Sequence, residues 1–221
     1  MRWILGLCLF FSLACASAPL PKCDYLSLET AYQAYGDWQK SLLDPLFKLN
    51  ESYHPPDLVS VSQAGLDGDY LVRKIVIEDL AALIADAASS GADLEIQSAY
   101  RSYDYQAATF QYWVDREGRE AALKSSARAG HSEHQLGTVL DFRSKGGVPP
   151  WELNDWAATP AGGWLAENAW RYGFIMSYPK GKEAESCYIY EPWHYRYVGK
   201  ETAKRIRDSG LTLREWLWTE Q

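Results

Sequence analysis

Two short stretches hold the residue types that can do chemistry on water. One is Ser132-Glu133-His134-Gln135-Leu136-Gly137-Thr138-Val139-Leu140-Asp141, and the other, about fifty residues later, is Glu191-Pro192-Trp193-His194. Together they supply two imidazoles, a carboxylate in an apolar setting, and a second carboxylate three residues before the last His. Two His and one Asp can hold a divalent metal and leave a position open for water. Glu191 has the chemistry of a general base beside that water. The chain has four His. His131 would crowd the open position as a fourth ligand, so it reads as a neighbour of the site or as exposed, and His54, before Pro55-Pro56, reads as surface.

The spacing dictates how the backbone must run. His134 and Asp141 are seven apart, which on one continuous strand puts them on opposite faces. Gly137 can break the chain between them, leaving His134 on a loop and Asp141 on a strand. Asp141 sits in Thr138-Val139-Leu140-Asp141-Phe142, where an unpaired carboxylate would be costly. Taken alone, this motif fits a buried Asp capping a loop as well as a ligand; the second motif favours the ligand. Glu191 and His194 share a side if the chain turns at Pro192. A Glu among Tyr188, Ile189, Tyr190 and Trp193 is partly buried, and burial raises its pKa towards values useful for proton transfer. The alternative for Glu191 is a surface salt bridge. Arg101, after an alternating strand, offers a fixed cation for developing negative charge, or a partner for Asp104 at a helix start.

At these residues the chain resembles the VanY-type zinc D-alanyl-D-alanine carboxypeptidases. The resemblance rests on Ser-x-His-x-x-Gly-x-x-x-Asp and Glu-x-Trp-His, and extends to Ser98-Ala99-Tyr100-Arg101-Ser102, Gln106 and Tyr195-Arg196-Tyr197. It covers roughly residues 70–200 and departs mildly at Val139, where the family usually carries Ala. The resemblance implies Zn2+ on His134, Asp141 and His194, with Glu191 as base and Arg101 steadying the oxyanion. It implies substrate contacts from Gln106, Ser132 and Trp193, although Ser132 could equally cap a turn and Trp193 belong to the core. It also implies the compact α+β fold shared by D-Ala-D-Ala peptidases and the hedgehog signalling domain. The expected reaction is release of the C-terminal D-alanine of peptidoglycan stem peptides. An endopeptidase, an L,D-carboxypeptidase and a non-catalytic wall-binding module are alternatives on the same fold. A non-haem iron oxygenase also uses two His and a carboxylate, but gives Glu-x-Trp-His no role.

The elements that must position these residues follow from periodicity. Tyr32, Tyr35, Trp38 and Leu42 have helical spacing, predicting a helix within 24–50 that ends before Pro45. Residues 51–69 read as a loop. Val72, Ile75, Val76, Leu80, Leu83, Ile84 and Ala87 form an amphipathic stripe. Leu94–Ser98 and Thr138–Phe142 read as strands, with a helix around 104–117 that breaks at Gly118. A helix over 164–172 ends at Gly173, followed by a strand over 174–178, a polar loop over 179–186 and strands on both sides of Pro192. Glu201–Ser209 is helical, and Thr212-Leu213-Arg214-Glu215 is a capping box opening a last helix. Helices and strands in this irregular order predict α+β: a small, mainly antiparallel sheet with helices packed on it.

Residues 1–18 read as an export signal: Arg2, an apolar run from Trp3 to Leu13, then small residues. That run is too short for a stable membrane span. The expected organisation is this leader, an N-terminal helix-and-loop extension over 19–69, and a zinc peptidase domain over 70–221. The 221 residues carry a net charge of −7, or −8 once Arg2 leaves, which argues against nucleic acid as a partner. A monomer in the periplasm or cell envelope is expected. Beyond the leader only Cys23 and Cys187 remain. They are compatible with one disulfide or with two separate thiols.

Overall fold

The computed structural model of the protein describes residues 18–25, 31–32 and 38–220. The leader lies outside these residues except for Ala18, as does Tyr35 of the helix expected within 24–50. The described part of that segment is not helical. Ala31–Tyr32 (β1) pairs in parallel with Phe47–Lys48 (β2), and residues 38–40 form a turn. Asp44 explains the local path: its Oδ1 accepts from the backbone N–H of Leu46 (2.7 Å) and Phe47 (2.8 Å), which turns the chain at Pro45. The apolar spacing serves separate contacts instead. Trp38 packs against the main core, whereas Leu42 joins Val198, Ala203, Ile206, Leu213 and Leu217 in a second one.

The expected loop at 51–69 contains Leu58–Ser60 (β3), which pairs antiparallel with Leu71–Arg73 (β4), so Val72 lies in a strand opposite Val59. The helix itself, α1, runs from Ile77 to Ser89 after a 3-10 turn at Lys74–Val76. Strand and helix still deliver Val72, Val76, Leu80, Leu83 and Ala87 to one core, all fully buried; Ile84 packs against it partly buried, whereas the 3-10 turn leaves Ile75 52% exposed, off the expected stripe.

The sheet that carries the chemistry has four antiparallel strands: β5 (Leu94–Ser98), β6 (Val139–Ser144), β7 (Phe174–Met176) and β8 (His194–Tyr197), in the order β5-β6-β8-β7. Side-chain alternation sends Leu140, Phe142, Tyr195 and Tyr197 into the core, so Asp141, His194 and Arg196 face the other way. Only one of the two strands expected around Pro192 forms. The stretch before it is irregular, and the backbone N–H of His194 donates to Glu191 O at 3.1 Å, closing the turn that Pro192 makes possible. The loop expected over 179–186 ends in a short helix at Glu183–Ser186.

Around the sheet lie α2 (Tyr103–Glu117), α3 (Arg119–Ser125), α4 (Pro160–Asn168), α5 (Glu183–Ser186), α6 (Lys200–Ser209) and α7 (Leu213–Thr219). The expected capping box is present at α7: Thr212 Oγ1 accepts from Glu215 N, and the Glu215 carboxylate accepts from Thr212 N. Arg214, buried in the first turn of α7, donates to Asp44 Oδ2 at 2.6 Å and to the backbone oxygens of Glu185 and Pro21.

The structure brings Cys23 and Cys187 together with a sulfur–sulfur distance of 2.09 Å and a sequence separation of 164. Closing so long a loop removes up to about 5 kcal/mol of unfolded-chain entropy. Reduction, or Cys23→Ser, is expected to lower the unfolding free energy by part of that amount in urea melts. Unchanged midpoints with and without reductant would contradict it.

Candidate metal centre and active site

The register of β6 on β8 sets Asp141 directly opposite His194. The two side chains therefore leave the sheet side by side, and Asp141 Oδ1 lies 3.1 Å from His194 Nδ1. His134 arrives from outside the sheet. It sits in a 3-10 turn over Glu133–Leu136 that ends at Gly137, whose φ of +72° lies in the left-handed region. A Cβ at Gly137 would come within 3.0 Å of Pro55, Leu58 and Arg73 side chains. Glycine is thus required twice, for conformation and for space. With the chain broken there, His134 Nε2 comes 3.2 Å from Asp141 Oδ2.

Hydrogen bonds aim the rings. His134 Nδ1 lies 2.6 Å from Ala99 O, so Nδ1 carries the proton and Nε2 presents its lone pair. His194 Nε2 lies 3.1 Å from Glu133 Oε2, which places its proton there and leaves the lone pair on Nδ1. Both His134 Nε2 and Asp141 Oδ1 are buried without a hydrogen-bond partner. One ligand atom from each of His134, Asp141 and His194 can be chosen so that all lie within 4.8 Å of one another. Buried acceptors pointed at one another are costly unless a cation sits between them. The donor set, two neutral imidazoles and one carboxylate, fits a divalent metal of the zinc type.

The electrostatics agree. Burial lowers the proton affinity of His134 to a pKa of about 4, with the Arg101 charge acting in the same sense. Burial also opposes a charge on His194, but Asp141 and Glu133 outweigh it and raise its pKa to about 10. A field that holds a proton so firmly on His194 favours any cation at that place. Asp141, despite burial, is held well below the usual carboxylate range by the two His.

Glu191 is buried, with Oε2 3.6 Å from His194 Nδ1. Burial pushes its pKa up to about 8, partly offset by His194. It can therefore exchange a proton near neutral pH, as a general base must. Arg101 is deeply set. Its Nε has no hydrogen-bond partner, and the carboxylates that act on it are those of Asp141 and Glu191. The Tyr178 ring covers His194 at 4.6 Å between centroids.

The remaining expected residues lie nearby in different roles. Ser132 is buried and its Oγ accepts from His134 N (3.3 Å), capping the turn. Gln106 is buried, with Nε2 donating to Ala127 O at 2.6 Å. Trp193 is half-buried, packs on the core and meets Trp151 edge-on. His131 is buried and bonds Asp44 O at 2.7 Å, so it ties segment 38–50 to the His134 loop and takes no part in the cluster. His54 is exposed.

Sequence reasoning missed Glu133, Ser177 and Arg196. Glu133 Oε2 accepts from Ser177 Oγ (2.6 Å) and faces His194, while Oε1 accepts from Arg196 Nη1 at 2.8 Å. Arg196 is fully buried and also donates to Trp38 O. Burial alone would raise the pKa of Glu133, but Arg196 and His194 pull it down to about 2. A carboxylate behind a ligating imidazole fixes its orientation and basicity. The available signal was Arg196 between Tyr195 and Tyr197, since such a charge is rarely buried unpaired. Arg196→Met leaves Glu133 buried without its counter-ion, so a loss of about 3–5 kcal/mol in unfolding free energy is expected. A chemical denaturation curve within about 1 kcal/mol of wild type would show that the pair carries no such weight.

The chain matches the family model described as VanY, D-alanyl-D-alanine carboxypeptidase, over residues 69–200. Among curated proteins it is 38% identical over 182 residues to the putative carboxypeptidase YodJ of Bacillus subtilis, spanning 80% of this chain and 66% of that one. It is 34% identical to a D-alanyl-D-alanine carboxypeptidase of Enterococcus faecium over 69% of this chain and 46% of that one. The chain thus spans between about half and two thirds of these relatives. Among solved structures, the LdcB LD-carboxypeptidase superposes with a TM-score of 0.69 at 38% identity, covering 81% of this chain and 84% of that one. VanYB in complex with D-alanine-D-alanine superposes with a TM-score of 0.71 at 28% identity, covering 84% and 100%. A VanY mutant in complex with Zn(II) gives 0.70 at 28% identity, covering 82% and 99%. With both motifs on one side of an α+β sheet and the family model spanning them, the chain belongs to the VanY D-alanyl-D-alanine carboxypeptidase family.

Proposed function

We propose that the protein is an exported, monomeric zinc carboxypeptidase that removes the C-terminal D-alanine from peptidoglycan stem peptides. The observation that carries this reading is the convergence of His134 Nε2, Asp141 and His194 Nδ1 beside a buried Glu191 of raised pKa. The D-alanine substrate is supported by family membership and by VanYB, whose solved complex contains D-alanine-D-alanine. The export reading rests on the leader pattern in residues 1–18.

His134, Asp141 and His194 would hold the zinc, which supplies Lewis-acid polarisation and a water acidified to a pKa of about 7. Glu191 takes a proton from the attacking water as its oxygen bonds to the peptide carbonyl carbon. Arg101 faces the carbonyl oxygen and offsets the charge that develops there. Glu191 then returns the proton to the leaving nitrogen as the C–N bond breaks, so one amide and one water become an acid and an amine. The Ala99 carbonyl and the Glu133 carboxylate keep both imidazoles in one orientation throughout, and Tyr178 shields the ring of His194 from water. No covalent bond to the enzyme is needed.

The second reading, an L,D-carboxypeptidase, is favoured by the 38% identity to LdcB over most of both chains. Mass spectrometry of products from a pentapeptide ending in D-Ala-D-Ala, its C-terminally amidated form, and a tetrapeptide ending in a single D-Ala separates the possibilities. Loss of one alanine from the free pentapeptide alone is the expected result. Cleavage of the tetrapeptide alone supports the L,D reading, and equal cleavage of the free and amidated pentapeptides an endopeptidase.

A further inference from the structure

Helix α2 is unusual in what it leaves outside. Of its fifteen residues only Gln106 is buried, while Tyr112 keeps 54% of its surface exposed. Beside it, Trp113 meets Trp151 edge-on at 5.9 Å between ring centroids, and Trp151 meets Trp193 edge-on at 6.1 Å. Trp151 stands 38% exposed on a 3-10 turn at Pro150–Glu152. Tyr112 packs edge-on against Trp113 at 5.2 Å, and Arg116 brackets the pair, with its guanidinium over Trp113 and Nη1 donating to Tyr112 OH at 3.0 Å. The result is an unbroken row of aromatic rings, held rigid by each other. It starts at Trp193, next to His194, and ends on an exposed helix.

We propose that Tyr112, Trp113 and Trp151 form a subsite, continuous with Trp193, that stacks on the sugar rings of the glycan from which a stem peptide hangs. This inference rests on the peptidoglycan reading of the catalytic centre. Three observations select this occupant. The row begins at Trp193, next to His194, so a substrate held at the candidate centre can reach it. Its length suits the substrate: the four stem residues retained after cleavage span at most about 14 Å when extended, and the path along the row from Trp193 through Trp151 and Trp113 to Tyr112 has ring-to-ring steps of 6.1, 5.9 and 5.2 Å. Its chemistry suits a pyranose, whose C–H faces lie flat on aromatic rings while its hydroxyl and N-acetyl groups stay in water. Ordered Trp and Tyr rings supply such contact area with little loss of side-chain freedom. The arrangement predicts a preference for stem peptides still joined to their aminosugar disaccharide.

The test has two arms. In the kinetic arm, purified enzyme cleaves a pentapeptide and the same pentapeptide carrying its disaccharide. Wild type is expected to favour the disaccharide form by about tenfold in kcat/KM, mainly through KM. Trp151→Ala should abolish that preference yet leave the bare pentapeptide within about twofold, and Trp151→Tyr should restore part of it. In the second arm, the disaccharide-peptide is titrated into the protein while its indole N–H signals are followed by NMR. A shifted signal that is missing from the Trp151→Ala spectrum supports the subsite even if neither peptide is cleaved, in which case the carboxypeptidase reading alone fails. Equal kcat/KM for the two substrates in wild type, or no indole shift at millimolar ligand, overturns the subsite and leaves the catalytic assignment standing.

Discussion

His134→Ala and His194→Ala are expected to bring metal content from about one zinc per chain to near zero, with loss of turnover below detection. The size of the effect follows from the ligand count. An open catalytic site has three protein ligands, and here two devices place the three candidates: strand register for Asp141 and His194, the break at Gly137 for His134. Removing one leaves two ligands and an imbalance of buried charge that the remaining groups cannot absorb. Metal analysis of dialysed protein, read beside a thermal melt, separates metal loss from unfolding. A folded double mutant that retains stoichiometric zinc would refute the ligand assignment outright.

Glu191→Gln is the second large effect, and it is designed to leave the metal in place. The amide keeps the shape of the carboxylate but cannot accept a proton, so turnover should fall at least about a hundredfold while zinc content stays at the wild-type level. Loss of zinc would make Glu191 a ligand instead, and near-normal turnover would move the base elsewhere. The same variant has a second signature in chelator-treated protein. Burial raises the pKa of Glu191 from 4.5 to about 8 in the folded chain. Between those values the folded state binds more protons than the unfolded state, so stability falls as pH rises through this window. His194, raised from 6.5 to about 10, contributes stability that is present below 6.5 and is also lost as pH rises. Glu191→Gln removes the first contribution and weakens the second, because the Glu191 carboxylate is one of the charges that raise His194. Urea midpoints of metal-free protein at pH 5 and pH 8 should therefore differ less in the variant than in wild type. An unchanged difference would mean that Glu191 ionises normally in the fold.

Much of the centre was legible in the sequence because its ligands occur as close sets whose local spacing restricts the backbone. The seven-residue spacing with a glycine inside it allowed a break between His134 and Asp141, and Pro192 allowed a turn between Glu191 and His194. Both occur. The α+β class, the break at Gly118 and the capping box at Thr212 were likewise local signals. Over the described residues the helix expected within 24–50 is absent for a related reason. Apolar spacing records that side chains are buried, not that they are buried on one face, and Trp38 and Leu42 go to different cores.

What only the tertiary structure decided is how the centre is held. Glu133 and His194 are 61 residues apart, and Glu133 and Arg196 are 63 apart. No local pattern specifies these contacts, which depend on β6 pairing with β8 in one register and on the His134 loop folding over that face. Segment 38–53 is placed in the same way. Trp38 O accepts from Arg196, Asp44 O bonds His131, and Asn50 O and Tyr53 O accept from Gln135 Nε2, so a stretch that reads as a peripheral extension braces the His134 loop from behind. The physical reason is the same in each case. The sequence by itself determined which side chains could bind a metal, because that is a matter of residue type and short spacing. Their orientation comes from buried donors and acceptors that must find partners once water is excluded, and those partners become neighbours only after the chain has packed.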